Sequence, residues 1–332
     1  MVSWFESKSR SLSSCQGLTL TAWVTNLLFV LGWKDMKNAI IWGIIILVLV
    51  IIGSFFLWGS NGNDEPAPTI TDQEPLVKEV VPAVDKTKTV LGVSAQGRDL
   101  VAYHYGDGAK EVIFIGGIHG GYSWNTVLVA YELMDYLAAG TSTVPAGVKV
   151  TVIPALNPDG LFATVGTTSR FAAAQVPASE DLRVAGRFNG NTVDLNRNFD
   201  CDWQANAKWQ NKDVSGGTTV FSEPETLAVK NYIEQVKPAA VVVWYSAAGG
   251  VFASNCHDGV LPETAELTKL FARASGYRAY DNFNFYEITG DMVNWLAKEK
   301  IPAISVLLTD HKSTEWSKNL AGIKALLNYY AE

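Results

Sequence analysis

The stretch EVIFIGGIHGG at residues 111–121 decides the fold class. Val112–Ile115 is an apolar run without alternation, which is typical of a strand buried on both faces of a sheet. Glycines follow it at once, so the chain turns tightly there, and His119 lies inside the turn. Similar apolar runs recur further along, separated by segments with helical spacing: Val148–Pro154, Ala239–Tyr245 and Pro302–Leu308. This alternation predicts an α/β fold with a mixed, mostly parallel central sheet sandwiched by helices.

The segments between and after these runs have the composition and spacing of helices: Ser123–Leu137, Pro224–Gln235, Glu263–Ser275, Asp291–Glu299 and Glu315–Tyr330. Two strand-like runs, Thr89–Ala95 and Leu100–Tyr105, precede them and predict a hairpin. The region from Asn157 to Phe221 is rich in Gly, Asn and Asp, which predicts loops. Sites in such sheets form where the parallel strands end, so we expect function just after the apolar strands.

An uncharged apolar stretch, AIIWGIIILVLVIIGSFFLW, occupies residues 39–58. At about 1.5 Å per residue it is long enough to cross a hydrocarbon core of roughly 30 Å. Lysines precede this stretch and acidic residues follow it, so the positive-inside rule puts the N-terminus in the cytoplasm. The sequence therefore predicts a single-pass membrane protein with a transmembrane signal anchor at residues 38–58 and an extracytoplasmic main domain.

The segments on either side of the predicted anchor differ from each other in composition. Residues 59–86 are rich in Pro and acidic residues, which predicts a flexible, disordered linker. Residues 1–35 are an N-terminal extension of uncertain nature, either an over-extended start or a membrane-associated segment. Residues 87–332 have the length of one domain.

Charge and cysteine content narrow the class of protein. The formal net charge of −7 and the lack of a basic stripe in the sequence argue against nucleic-acid binding. Of the 3 cysteines, Cys201 and Cys256 lie in the predicted exported part, where a disulfide can persist. A disulfide between them is predicted, with two free buried thiols as the alternative. If the disulfide is absent, the two cysteines and His257 could hold a metal ion.

Six short motifs follow one another along the chain: GGIHG (116–120), LNPDG (156–160), GRFNGNTVDLNRNF (186–199), SEPET (222–226), YEITGD (286–291) and IPAISVLLTD (301–310). In this order they resemble the zinc metallocarboxypeptidases of the carboxypeptidase A type, over nearly all of residues 87–332. The resemblance implies a zinc ion held by three protein ligands with an open position for water. It also implies a glutamate that takes the proton of that water as general base.

The zinc-binding positions of that family are degenerate in this sequence. The resemblance makes His119 the first zinc ligand, but Tyr122 stands at the glutamate ligand position. Tyr245 stands at the position of the second histidine, or Ser246 if the alignment slips by one residue. Leu307 stands at the position of the general-base glutamate. Zinc is therefore implied by the family, but we expect it to be bound weakly or not at all, without activation of water.

The substrate-binding positions of the family are retained. The resemblance makes Arg187 the arginine that stabilises the oxyanion, and Asn196 with Arg197 the clamp for a C-terminal carboxylate. Tyr286 matches the tyrosine that caps the substrate. Asp194 matches the carboxylate that orients the ring of the first histidine. The alternative for Arg197 is a structural ion pair with a neighbouring aspartate.

Three hypotheses about function follow. The first is a membrane-anchored, catalytically inactive domain that binds the C-termini of peptides or of peptidoglycan-type stem peptides. The second is an active metallocarboxypeptidase with a shifted zinc ligand set. The third is a structural ectodomain that binds no ligand. The three histidines outside the motifs are expected to be surface or loop residues with ordinary hydrogen bonds: His104, His257 and His311.

Overall fold

The computed structural model describes residues 87–140 and 143–331. The predicted extension at 1–35, the anchor at 38–58 and the linker at 59–86 lie outside the described residues. Within the described ranges, no helix is both long enough and apolar enough to cross a membrane.

The strands form a central sheet and, from β5 and β6, a separate hairpin. They are β1 (Lys88–Val93), β2 (Asp99–Tyr105), β3 (Lys110–Ile115), β4 (Val148–Ile153), β5 (Asn206–Trp209), β6 (Lys212–Ser215), β7 (Ala240–Ser246), β8 (Gly250–Ala253), β9 (Ala279–Tyr280) and β10 (Ala303–Leu308). The central sheet has 8 strands in the order β1-β2-β4-β3-β7-β10-β8-β9, and β5 pairs only with β6. The central strands β4, β3, β7 and β10 run parallel to one another, and β8 with β9 is also parallel. The pairs β1–β2, β2–β4 and β8–β10 are antiparallel.

The helices cover both faces of this sheet: α1 (Trp124–Ala138), α2 (Pro158–Val165), α3 (Glu180–Ala185), α4 (Pro224–Val236), α5 (Pro262–Ser275), α6 (Met292–Lys298) and α7 (Trp316–Ala331). Val112 and Phe114 of β3 share an apolar core with α1, α5 and α7. The alternate residues Ile113 and Ile115 share a second core with α4 and α6. Each strand residue is therefore buried on one face or the other, which explains the continuous apolar run. The predicted mixed, mostly parallel sheet between helices is confirmed.

The region from Asn157 to Phe221 contains more regular structure than the sequence predicted. The LNPDG motif starts α2, because the Asn157 side chain accepts a hydrogen bond from the amide of Gly160 and caps the helix. The hairpin β5–β6 turns at Gln210, which holds a positive φ of 55°. Its alternation of buried and exposed residues is too short to stand out from a loop in the sequence. The region is rich in loops, as predicted, but it also contains these short elements, which the sequence did not predict.

The register of the sheet brings three strand ends together. In the parallel pair β7–β10, Tyr245 lies opposite Leu307. In the parallel pair β3–β7, Ile115 lies opposite Val243, so the turn with His119 begins beside the same edge. The residues that follow β3, β7 and β10 therefore share one end of the sheet, where sites form in this class of fold.

Cys201 and Cys256 are joined by a disulfide, with their Cα atoms 6.2 Å apart. Both side chains are buried against Ala297 of α6. The disulfide links the segment after Arg197 to the segment after β8.

Candidate functional site

A cleft of about 650 Å³ opens at the C-terminal ends of β3, β7 and β10. The predicted site residues that line it are His119, Tyr122, Arg187, Asn196, Arg197, Tyr245, Tyr286 and Leu307. Asp194 is fully buried behind them, and Ser246 also lines the cleft. Residues far apart in the sequence are thus brought into one cavity by the sheet.

His119 is held by a turn that depends on glycine. Gly120 has a φ of 41°, and a Cβ there would lie 2.6 Å from the carbonyl oxygen of Gly186. The imidazole is buried, and neither ring nitrogen has a hydrogen-bond partner within the described part of the chain. Burial, with the nearby charge of Arg187, lowers the pKa of His119 to about 3. The ring is therefore neutral near pH 7.

Two tyrosines occupy the space beside His119. The Tyr245 hydroxyl donates to the side-chain oxygen of Asn196 at 3.1 Å. Burial raises the pKa of Tyr245 well above its usual value, so the hydroxyl stays protonated. The Tyr122 ring packs against the ring of Trp209, 4.9 Å between centroids, and burial raises its pKa as well. Neither oxygen is an anion ready to bind a metal.

Asp194 forms a buried ion pair with Arg187. Arg187 Nε donates to Asp194 Oδ2 at 2.8 Å. Burial alone would raise the pKa of Asp194, but the charge of Arg187 outweighs it and holds that pKa well below the usual range. Asp194 Oδ1 also lies 3.6 Å from His119 Nε2, slightly longer than a hydrogen bond, and the role of Asp194 in orienting the His119 ring stays a prediction. The carboxylate mainly neutralises Arg187, which also stacks 4.3 Å from the centroid of Trp209.

Arg197 is fixed by backbone oxygens. Its Nε donates to the carbonyl of Lys208 at 2.8 Å and its Nη1 to the carbonyl of Asn196 at 2.7 Å. Its Nη2 is buried and has no hydrogen-bond partner among residues 87–140 and 143–331. No ion pair with an aspartate occurs in the same ranges, since Asp194 pairs with Arg187 and Asp200 with Lys298. One donor of a charged group therefore remains unsatisfied beside the cleft.

The Asn196 side chain is held from both ends. Its Nδ2 donates to Asp291 Oδ2 at 2.8 Å, and its Oδ1 accepts from Tyr245 and from the amide of Met292. Asp291 in turn caps α6, because it accepts from the amide of Asn294. Asn196 is thus less available as a clamp than predicted, and its side chain instead fixes the turn that carries Arg197.

The family model for zinc carboxypeptidases matches residues 81–321, well over half of the chain. The chain belongs to the zinc carboxypeptidase family. Its sequence is 24% identical over 225 residues to gamma-D-glutamyl-L-diamino acid endopeptidase 1 of Lysinibacillus sphaericus, covering 60% of this chain and 54% of the relative. It is 27% identical over 206 residues to the human carboxypeptidase N catalytic chain, covering 57% and 41%. The chain thus spans about half the length of these curated relatives.

Solved structures share the fold of this family member. The carboxypeptidase A from Helicoverpa armigera superposes with a TM-score of 0.56 and 20% identity, over 74% of this chain and 68% of that one. The murein-tripeptide amidase MpaA from Escherichia coli O157 superposes with a TM-score of 0.53 and 20% sequence identity, over 74% of this chain and 92% of that one. At this identity the likeness shows the fold alone.

The family implies zinc, but the residues of this cleft do not fit a zinc ion. A zinc site needs three or four converging ligand atoms. Within the described residues, His119 belongs to no group of three or more His, Cys, Asp or Glu whose ligand atoms lie within 4.8 Å of one another. The nearest carboxylate, Asp194, is engaged by Arg187, and the Tyr245 hydroxyl by Asn196. The described residues of this cleft therefore do not form a zinc site that could activate a water molecule.

The sequence missed several residues of the cleft. His311 was expected to be a surface or loop residue, and it does lie in the loop after β10, but it is half-buried and lines the cleft, where its ring packs 4.4 Å from that of Tyr122. Its Nδ1 lies 3.1 Å from the Tyr122 carbonyl oxygen, which can only accept, so Nδ1 carries the proton. The one signal in the sequence for His311 is its position just after β10, at the end of the sheet where sites form. The other two histidines lie outside the cleft: His104 bonds to Thr89 and Thr151, and His257 pairs with Asp202.

An apolar wall also lines the cleft, and most of its residues lie outside the motifs of the sequence. Its members come from β8, α6, β10 and the segment before α6: Phe252, Ala253, Phe283, Phe285, Ile288, Val293 and Leu307. Tyr286 packs edge-on against Phe283, 5.0 Å between centroids, at the rim. The cleft thus combines Arg187 and Arg197, which together form its arginine floor, with an aromatic and aliphatic wall.

Proposed function

We propose that this domain binds the free C-terminus of peptides in the cleft and does not hydrolyse them. The observation that carries the proposal is the buried, unpartnered Nη2 of Arg197. An unsatisfied buried donor costs about 1–3 kcal/mol, and more when the group is charged. A peptide carboxylate is a ligand that removes this cost through a charge-assisted hydrogen bond.

The charge balance of the cleft supports an anionic ligand. Arg187 is neutralised by Asp194, whereas Arg197 has no carboxylate partner among the described residues. Asp291 also lines the cleft, but its carboxylate is bonded to Asn196 and to the N-terminus of α6, so Arg197 is the cation left to pair with a ligand carboxylate. In this arrangement Arg197 receives the carboxylate, Asn196 fixes the turn that carries Arg197, and Tyr286 closes over the ligand from the rim.

The apolar wall supports a preference for an apolar C-terminal side chain. A basic side chain would need a free carboxylate, and Asp291, which lines the cleft, is already engaged by Asn196 and by the N-terminus of α6. Burying an unpaired ammonium group against Phe252 and Leu307 would be costly. Phenylalanine or leucine at the peptide terminus would instead be removed from water on binding.

The absence of hydrolysis rests on two positions. Leu307 cannot accept a proton, so the position that carries the general base in the family has lost that role. Tyr245 is neutral and bonded to Asn196, so it supplies no metal ligand. With both positions changed, Arg187 could still stabilise an oxyanion, but no nucleophilic water is prepared for attack.

We further propose that the domain works outside the cytoplasm, held to the membrane by the helix predicted at residues 38–58. The ligands available there include secreted peptides and peptidoglycan stem peptides. One relative is named gamma-D-glutamyl-L-diamino acid endopeptidase 1, and this name refers to a bond between glutamate and a diamino acid. The apolar wall favours peptides with apolar termini over a terminus with a charged diamino acid.

A peptide series tests the proposal. The full-length protein in detergent is titrated calorimetrically with pentapeptides that end in Phe, Leu, Lys or a diamino acid. Mass spectrometry then measures the length of the recovered peptide, with zinc and with a chelator. We expect binding of the Phe and Leu peptides and full recovery in both conditions. Shortened peptide that disappears with chelator would instead establish the active metallocarboxypeptidase, and lack of binding throughout would establish a structural ectodomain.

A further inference from the structure

Four side chains that can ligate a metal meet at the disulfide. Asp202 follows Cys201 in the chain, and His257 follows Cys256. The ligand atoms of all four residues lie within 4.8 Å of one another. His257 Nε2 and Asp202 Oδ1 are 3.1 Å apart.

The backbone at this cluster is unusual. Asp202 has a φ of 53° and His257 a φ of 50°, and neither is glycine. Aspartate and histidine are among the few residues besides glycine that adopt this left-handed conformation with some frequency. Two such residues, each directly after one of the paired cysteines, place an imidazole and a carboxylate beside both sulfur atoms. The side chains of His257 and Asp202 are 67% and 55% exposed, so an ion could reach them from solvent.

The residue types match a zinc site rather than an ordinary surface ion pair. Thiolate, imidazole and carboxylate are the ligands that zinc uses in proteins, usually four of them around the ion. In the disulfide, the sulfur atoms are not thiolates, so the set is incomplete while Cys201 and Cys256 are bonded.

We propose that reduction of the Cys201–Cys256 disulfide creates a zinc-binding site formed by Cys201, Asp202, Cys256 and His257. A dithiol reductant supplies the two electrons by thiol–disulfide exchange, its own two sulfurs form a disulfide, and its two protons pass to the cysteines. Zn²⁺ then displaces these two protons and binds both thiolates. A disulfide oxidant reverses the sequence by thiol–disulfide exchange: it is reduced to two thiols, the Cys201–Cys256 bond re-forms and the ion is released.

This site is separate from the zinc position of the family and does not depend on the ligand proposed for the cleft. It is nevertheless bonded to the loops that carry the arginine floor. The amide of Gly290 donates to the carbonyl of Cys201 at 2.7 Å, and the amide of Phe199 donates to the carbonyl of Gly290 at 3.1 Å. Gly290 directly precedes Asp291, which holds Asn196. The metal would therefore bind to the same loop that positions Arg197.

Cobalt titration tests the proposal. The full-length protein carrying Cys15→Ser, so that only the paired cysteines remain, is reduced with a phosphine without oxygen and titrated with Co²⁺. We expect one equivalent to bind with the visible spectrum of tetrahedral thiolate-bound cobalt, and Zn²⁺ to displace it. The oxidised protein should show no such spectrum. His257→Ala and Asp202→Asn should each weaken binding at least tenfold, while the matched control Asp200→Asn leaves it within about twofold.

Three results would overturn the proposal. The first is a reduced protein that binds no cobalt. The second is cobalt binding that is equally tight in His257→Ala and in the parent. The third is loss of the folded far-ultraviolet circular dichroism on reduction, with and without metal, because the four residues then do not form a preorganised site. Protection of two thiols from alkylation by Zn²⁺, lost in His257→Ala, gives an independent readout.

Discussion

Replacing Arg197 with glutamine should weaken binding of peptides with a free C-terminus far more than binding of amidated peptides. Arg197 Nη2 is buried and has no partner in the part of the chain that the structure describes. A hydrogen bond between charged groups contributes about 1.5–3 kcal/mol. At about 1.4 kcal/mol per factor of ten, the dissociation constant should rise roughly 10- to 150-fold.

The assay is calorimetric titration of the full-length protein in detergent, with thermal unfolding to show that the variant is folded. Arg197→Gln also loses hydrogen bonds to the carbonyls of Lys208 and Asn196, so some loss of stability is expected. The control is Lys212→Gln, which removes a charge whose Nζ lies 5.2 Å from the centroid of Trp209, at the same cleft. It should change the dissociation constant by no more than about twofold, because an exposed charge is screened by solvent. A folded Arg197→Gln protein with wild-type affinity would show that Arg197 does not receive the peptide carboxylate.

Three further predictions concern the zinc position, a close backbone contact and pH. A triple variant restores the residue types that zinc chemistry uses in this family: Tyr122→Glu, Tyr245→His and Leu307→Glu. It should bind about one equivalent of zinc by metal analysis, and a folded variant without zinc would show that these positions are wrongly assigned. Gly290→Ala should lower the thermal unfolding temperature more than Gly97→Ala, because both glycines have positive φ but only at Gly290 would a Cβ lie 2.3 Å from the Arg197 carbonyl oxygen; equal effects would contradict this contact. Burial alone would raise the pKa of Glu315, but hydrogen bonds from lysine and threonine neighbours lower it to about 2. Its contribution to stability is thus complete above its unfolded pKa of about 4.5 and is lost as the pH falls towards about 2, so in denaturant titrations Glu315→Gln should lose its disadvantage against the wild type over that interval.

The sequence predicted the fold because the strands that decide it are buried on both faces. The run before His119 is apolar throughout, and the register of β7 with β10 places Tyr245 opposite Leu307, as expected for two residues that end neighbouring strands. The hairpin β5–β6 escaped prediction because its strands are short. Trp209 therefore could not be assigned to the cleft before the hairpin was seen packed beside Arg187.

The residues that line the site were easier to predict from the sequence than the hydrogen bonds between them. The motifs predicted that Asn196 and Arg197 act together in the cleft. The structure shows that their side chains have different hydrogen-bond partners. Asn196 is held by Asp291, whereas Arg197 keeps an unpartnered nitrogen. His311 belongs to no motif and reaches the cleft because the chain after β10 folds back onto Tyr122. Such contacts depend on loop geometry, which residue spacing alone does not encode.

The replaced residues share a physical consequence. Tyr122, Tyr245 and Leu307 are each larger or less polar than a metal ligand or a proton acceptor at that place would be. Together with the neutral His119 they fill the end of the sheet with rings and methyl groups, while the charge of Arg197 remains beside them. A cleft of this kind can hold an anion next to an apolar group, which is the chemistry of a peptide C-terminus.

The most direct test of this account compares one peptide that ends in a free phenylalanine carboxylate with its amidated twin, titrated into the full-length protein in the presence of a chelator. We expect the free acid to bind at least tenfold more tightly than the amide, without any metal. Equal affinity of the two peptides, or binding that vanishes when zinc is removed, would contradict it.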